Sequence, residues 1–494
     1  MSYELKTPPI IKKSSMPFDY SIEGFNHWII NLDIVDSSQC CQQILCVLRE
    51  LHHLAINDEE QALDSISERL TAIDNHTETE NVAKVPLSIQ SFTKIELIIW
   101  TYVELANSYH LRLAQSIEQK KQPITREQQA VILYKALLAI SQAYLKIVGL
   151  YVLPYKNFWH SLYQLYYLGE ENNLLDVNLL VENKEKTSCE RLINKILLLE
   201  LCDTNQFRTK EIQKIFLYLE GLVDYAKIIK KSPHAKNLHC LRIFTRQQDS
   251  LPAIIKKDYQ PTLSTRYLVF PRVVKQAFLQ LEDKTHSNSL STVSKAVLIR
   301  AFKTLSSTQK RQHTRLTKPP FVSGIIGLDN IIQFYKGNIQ AEKEKPLSFE
   351  HFKVINSSLN GYKLLWNDDF LWSNKPPSIQ IGHVFGVMNT DIQNIEVGII
   401  RRINISENGI SLGIELLALT ESQAVCIISQ KDAQETKEWG LLLNNNSLLF
   451  AESHFYSKDD MYLQIGNDKV LFRLEKQLSS TAAINYFQIS FLDS

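Results

Sequence analysis

The sequence predicts an α+β multidomain protein: an all-α N-terminal half, then an antiparallel β-barrel, then extra C-terminal β strands. Three observations predict it. At 494 residues the chain exceeds what one hydrophobic core organises, so several domains are expected. From about Ser38 to Lys231 apolar residues recur at three- and four-residue intervals, the helical period. After Pro319-Pro320 the pattern changes to short apolar runs separated by turn residues, the signature of a barrel or sandwich.

The clearest helix is the run 131–152. Thr125 with Gln128 three residues later is a capping box at its start, and Pro154 closes it. Asn57 with Glu60 marks a second start, and further helices are expected at about 39–55, 87–116, 156–170, 187–203 and 208–231. Aromatic residues crowd at Tyr151, Tyr155, Phe158, Trp159, Tyr163, Tyr166 and Tyr167. At helical spacing these read as a helix–helix core rather than a ligand cage.

The middle is mixed. Strand-like pieces at Ala253–Lys257 and Tyr267–Phe270 are followed by helix-like pieces at Arg272–Leu281 and Thr292–Leu305, with 286–292 as a loop. The expected domains are therefore 1–235 (helical), 236–305 (mixed connection), 306–425 (barrel) and 426–494 (C-terminal strands).

Composition narrows the function. With 44% hydrophobic and 22% charged residues the chain is ordinary globular material. Basic and acidic residues nearly balance, 54 against 53, so a general nucleic-acid binder is disfavoured and any anion site must be local. One local block exists. Between Thr285 and Leu328 there is no acid, while Lys295, Arg300, Lys303, Lys310, Arg311, Arg315 and Lys318 are all basic, which would attract a phosphate ligand. Seven cysteines without a framework spacing point to the reducing cytoplasm. The first residues lack the apolar core of a signal peptide, and Ile95–Val103 and Leu145–Leu153 are too short or interrupted to span a bilayer.

Two short patterns stand in order before and within the β region. Arg311-Gln-His-Thr-Arg315 is R-x-x-x-R; Asn356-Ser-Ser358-Leu-Asn-Gly361 is N-x-S-x-x-G and leads straight into the strand-like GYKLLW. Arginine guanidiniums stack on purines and bind guanine O6/N7 or phosphate oxygens in pairs. Asn and Ser can fix a turn and still present donors and acceptors, and Gly permits positive φ and close backbone approach. With these motifs, residues 305–425 resemble the PilZ family of cyclic di-GMP receptors, whose barrel follows an R-x-x-x-R segment and carries [D/N]-x-S-x-x-G in a turn between strands. The run 397–418 is similar to the closing hairpin of such a barrel. The resemblance implies a binding protein with cyclic di-GMP as ligand and no cofactor. Arg311 and Arg315 would take phosphate and guanine; Asn356, Ser358 and Gly361 would take the other guanine contacts. The spacing from Arg315 to Asn356 is longer than usual for the family, which a helical turn around Asp329–Tyr335 or a loop around Lys336–Pro346 would absorb.

Both patterns recur: Arg242/Arg246 form a second R-x-x-x-R, and Asn404, Ser406 and Gly409 a second N-x-S-x-x-G, read as a plain hairpin loop. Gly409, Ser411 and Gly413 match a nucleophile elbow in a β context that does not suit one. His52, His53, His234, His239 and Cys240 lack zinc-site spacing. There is no P-loop and no G-x-G-x-x-G, so nothing points to an enzyme. The expected mechanism is ligand-driven ordering of residues 306–318 that repositions barrel and helical region, the latter presenting a protein partner surface. The rival is a PilZ-like scaffold that binds protein and no nucleotide.

Overall fold

The computed structural model describes residues 18, 21–51, 56–80, 85–118, 124–181, 185–233, 240–255, 259–282, 294–306, 320–337, 349–366, 378–388, 395–418, 422–431, 434–444, 446–451, 460–465, 468–481 and 484–492. These fall into two compact units that part between residues 306 and 320, with residues 85 and 86 grouped with the second.

The first unit opens with α1 (Ile22–Ile30), α2 (Ser37–Leu48), α3 (Ile56–Glu80), α4 (Ile89–Glu118), α5 (Arg126–Gly149) and α6 (Phe158–Glu171). The cap of α5 is the one the sequence implied, whereas the start expected at Asn57 falls one residue inside α3. At α5 the Gln128 N–H donates to Thr125 Oγ1 at 3.2 Å and the Thr125 N–H to Gln128 Oε1 at 2.8 Å, closing the box. Two buried or half-buried rungs tie three helices together. Asp64 of α3 accepts from Tyr109 of α4 at 2.8 Å and from Lys135 of α5 at 2.7 Å. Asp74 accepts from Tyr102 at 3.3 Å and pairs with Lys146 at 2.6 Å. The tyrosines run in reverse order along α4, as an antiparallel neighbour requires. α5 has the length and apolar composition of a membrane span, contrary to the sequence expectation of only interrupted stretches; most of it is buried in this helical core.

The aromatic set is core, as expected. Tyr144 stacks on Phe158 at 5.4 Å between ring centroids, and Tyr163 on Phe244 at 4.6 Å. Tyr144 also donates to Glu200, whose carboxyl burial pushes up.

The region is not purely helical, and three expectations are corrected. A hairpin of β1 (Leu179–Val181) and β2 (Glu185–Thr187) precedes α7 (Cys189–Leu201). α8 (Thr209–Leu219) stops well short of residue 231: the chain breaks at Glu220-Gly221 and enters β3 (Lys227–Ile229). That strand pairs with β6 (Arg266–Val269), so one sheet in the order β3-β6-β4-β5 joins the two expected domains, with β4 (Leu241–Phe244) and β5 (Ala253–Ile254). α9 (Pro271–Glu282) and α10 (Lys295–Ser306) complete the unit. The loop expected at 286–292 lies outside the described residues.

The second unit holds two closed six-stranded antiparallel barrels. The first comprises β7 (Phe321–Ile326), β8 (Glu350–Ser358), β9 (Gly361–Trp366), β10 (Val384–Met388), β11 (Ile395–Ser406) and β12 (Gly409–Ala418), in the order β10-β11-β12-β9-β8-β7. Between β7 and β8 stands α11 (Leu328–Gly337), which covers the helical turn expected around Asp329–Tyr335; most of the alternative loop at Lys336–Pro346 lies outside the described residues. Phe352, Trp366 and Phe385 fill the barrel. A Cβ on Gly324 would come within 2.6 Å of both phenylalanine rings, so this glycine makes room for them.

The second barrel comprises β13 (Ser422–Lys431), β14 (Gln434–Leu443), β15 (Ser447–Ala451), β16 (Asp460–Ile465), β17 (Asp468–Ser480) and β18 (Ile484–Phe491). The expected boundary at 425/426 falls inside β13. The extra strands therefore form a barrel of their own, beginning at Ser422. The two barrels share one apolar cluster. Ile331 and Ile332 of α11 pack with Val384, Val397 and Ile399 of the first and with Leu441, Leu443 and Leu449 of the second. Lys336 lies over the Trp439 ring at 3.3 Å from its centroid.

Candidate functional site

The N-x-S-x-x-G motif spans the β8–β9 hairpin, but less of it is turn than the motif suggested. Asn356 and Ser358 are strand residues; only Leu359 and Asn360 form the turn, and Ser358 pairs with Gly361 across it. The Ser358 hydroxyl donates to the Gly361 carbonyl at 3.5 Å.

A β-bulge decides which way Asn356 points. On β8, Phe352 is buried and Val354 pairs with the buried Leu364, so both face the barrel interior. Strict alternation would turn Asn356 inward too. The register slips between Val354 and Asn356, leaving Ile355 as the extra residue, 45% exposed. Beyond the slip it is Ser357 that is buried, opposite Tyr362, and Asn356 lies opposite the exposed Lys363. The bulge thus re-aims Asn356 to the outer face, a recurrent use of bulges near binding sites.

Of the two reasons expected for Gly361, close backbone approach holds and positive φ does not. It is not among the glycines with positive φ, which among the described residues are Gly327, Gly382 and Gly409. A Cβ at Gly361 would stand 2.1 Å from the backbone oxygen of Ile414 on β12. Close strand approach, not left-handed backbone, excludes a side chain. The turn is fastened to the same strand: the Leu416 N–H donates to the Asn360 carbonyl at 2.9 Å.

Across the barrel the outer face continues in register. Asn356 pairs with Lys363, Lys363 with Gly413 and Gly413 with Arg402, one row over four strands. At a strand spacing of about 4.8 Å, such a row is about 14 Å wide. In the next row Glu415 lies opposite Gly361 and accepts from the Nε of Arg401.

Of the predicted site residues, the structure therefore places Asn356, Ser358 and Gly361 on one hairpin of one face. Arg311 and Arg315 lie outside the described residues. The basic block they belong to is partly committed elsewhere: Arg300 sits 4.7 Å from the Phe207 ring centre and 3.6 Å from Glu211. The other R-x-x-x-R is structural. Arg242 is buried against the Phe270 ring, and Arg246 pairs with Glu171 at 2.6 Å beside Tyr167. The Gly409-x-Ser411-x-Gly413 pattern runs along β12, with no strand-to-helix elbow. Cys240 belongs to no cluster of three possible metal ligands among the described residues, whereas the paired and lone histidines at 52, 53, 234 and 239 lie outside them.

Two family models match this chain. One, the N-terminal domain of the cyclic-di-GMP receptor FimW, matches residues 23–233; the other, the middle PilZ domain of the same receptor, matches residues 264–422. Together they cover well over half of the chain. The chain belongs to the FimW family of cyclic-di-GMP receptors. Among curated proteins no sequence matches it. The FimW N-terminal model ends beyond β3, inside the sheet that bridges the two expected domains, and the PilZ model begins just before β6 in that same sheet. The PilZ match ends at Ser422, the first residue of β13. The second barrel thus follows both matches, and "middle" suits a FimW PilZ domain with a further domain behind it. Membership is of a binding family rather than an enzyme family.

Proposed function

We propose that this chain itself binds cyclic di-GMP on the outer face of its first barrel, at the β8–β9 hairpin. The observation that carries this reading is the bulge at Ile355, which turns Asn356 outward beside Ser358 in the motif by which the family is recognised. Asn356 offers an amide to a guanine edge, Ser358 a hydroxyl, and Gly361 lets the hairpin lie tight on β12 so that the face stays flat. Arg311 and Arg315, in the segment entering the barrel, would close over the ligand with bidentate contacts to phosphate and guanine. A dianionic ligand bridging that segment and the barrel would order the segment and thereby shift the placement of barrel and helical unit, provided the two placements bind it unequally. The helical unit would then present or withdraw a protein partner surface. All seven thiols are free and most are buried, which suits a cytoplasmic setting for this switch.

Calorimetric titration of the full chain with cyclic di-GMP, beside an Arg311→Ala/Arg315→Ala variant, tests the reading. Saturable binding that the variant loses supports it. A parent chain that shows neither heat nor thermal stabilisation at high ligand concentration overturns it, leaving the barrel as a protein-binding module.

A further inference from the structure

The exposed faces of α8 and α9 repeat one pattern. Along α8, Lys210, Lys214 and Leu217 are exposed while Ile212, Ile215, Phe216 and Leu219 are buried. Along α9, Arg272, Lys275 and Leu279 are exposed while Val273, Ala277 and Leu281 are buried. Each helix therefore presents two cations and then a leucine over two turns, at spacings of three and four residues that keep side chains on one face. The two leucine ends meet. Tyr218 of α8 donates to Gln280 of α9 at 2.9 Å, and Leu217 and Leu279 immediately precede this bonded pair. Leu217 is 69% exposed and Leu279 48%, so neither belongs to the core beneath.

Charge on this surface is unbalanced. Among the described residues none of the four cations is in an ion pair. The described carboxylates on and beside α8 are already taken: Glu211 by Arg300 at 3.6 Å, Glu220 by Arg191 at 3.0 Å and Lys195 at 2.8 Å, and Asp224 by Arg191. A cationic face with leucines at its centre suits an acidic protein or an anionic lipid surface, and composition decides between them. Lysine is depleted at protein interfaces, and leucine is under-represented among their hot spots, which favour Trp, Tyr and Arg. Lysines on long apolar stems around exposed leucines are instead the make-up of helices that lie on membranes. There leucine enters the headgroup boundary and lysine reaches the phosphates. A cluster of basic residues on an amphipathic face is what the negative potential of such a leaflet attracts.

We propose that the α8–α9 face docks on an anionic membrane surface, with Leu217 and Leu279 entering the headgroup boundary and Lys210, Lys214, Arg272 and Lys275 on the lipid phosphates. All six residues belong to the first unit, so the proposal does not depend on the ligand reading of the barrel. The full chain is mixed with vesicles of phosphatidylglycerol and phosphatidylcholine, or of phosphatidylcholine alone, and the bound fraction is read by flotation. Binding to the first only, weakened by salt, is expected. Lys214→Gln/Lys275→Gln should weaken it more than about tenfold, since each lysine near such a surface contributes about fivefold. Leu217→Ser/Leu279→Ser should weaken it about tenfold. The thermal unfolding midpoint without vesicles should stay unchanged in both, because all four side chains are exposed. A parent chain that stays off the phosphatidylglycerol vesicles overturns the proposal. So do two variants that bind within about twofold of the parent, since the lipid contact then lies elsewhere. Loss in the lysine variant alone also overturns it: charge then acts without insertion, and the face belongs to an acidic protein instead.

Discussion

The first barrel contains the pattern N-x-S-x-x-G twice, in the β8–β9 and β11–β12 hairpins. Locally the two are near copies. Each has a two-residue turn, and in each the serine hydroxyl donates to the glycine carbonyl at 3.5 Å, Ser358 to Gly361 and Ser406 to Gly409. Their surroundings differ. Gly361 is pressed on the Ile414 carbonyl, whereas Gly409 has φ +115° and serves its turn. Asn356 owes its orientation to a bulge and stands in the row with Lys363 and Arg402; Asn404 follows ordinary alternation opposite Ser411. The comparison teaches that the hexapeptide builds a hairpin, and the neighbouring strands decide what that hairpin presents.

Four sets of substitutions test that difference, the largest effect first. Gly361→Ala should cost about 3 kcal/mol of unfolding free energy, because overpacking between two strands has no room to relax. Gly409→Ala should cost about 1 to 2 kcal/mol, from backbone strain alone. Denaturant unfolding of both variants checks this, and equal losses would break the comparison. Next, Asn356→Ala should weaken cyclic di-GMP binding about tenfold and Asn404→Ala less than twofold by titration, in line with a lost polar contact of about 1.5 kcal/mol. Third, Glu415→Gln removes a carboxylate opposite Gly361 and should strengthen binding of the dianionic ligand about threefold at low salt, as an exposed charge contributes about 0.2–1 kcal/mol. The gain should fade as salt is raised. Smallest, Ser358→Ala and Ser406→Ala should each lower stability by about 0.5 kcal/mol, and only the first should alter ligand affinity.

Much of the fold was legible because periodicity reports burial. The Thr125/Gln128 box, the aromatic core of α6, the strand at GYKLLW and the hairpin within 397–418 lie where the residue pattern places them. Short strands within the helical half were not legible. Lys227–Ile229 is three residues long, too short to show a period of two, and its partner is far away at Tyr267–Val269. Closure of the last strands into their own barrel depends on β13 pairing with β16, a long-range choice that leaves no local trace. For the candidate site, the hairpin residues were legible as a motif, whereas the row that joins Asn356 to Lys363 and Arg402 was not. One signal was present: adjacent Arg401 and Arg402, just before the alternating Ile403, Asn404, Ile405 and Ser406, cannot both face outward without a register slip.

The helix α11 is covered on one side by the first barrel and on another by the second, through Leu441, Leu443 and Leu449. During synthesis the chain emerges from its N-terminus, and β12 is complete before β13 has begun. At ~5–20 residues per second the rest of the second barrel takes on the order of five to ten seconds to appear. For that interval the first barrel carries an uncovered apolar helix. A chain cut after Ala418 would carry it permanently, so the last barrel acts towards the first as a built-in chaperone, and truncated forms ending there should be the ones that aggregate.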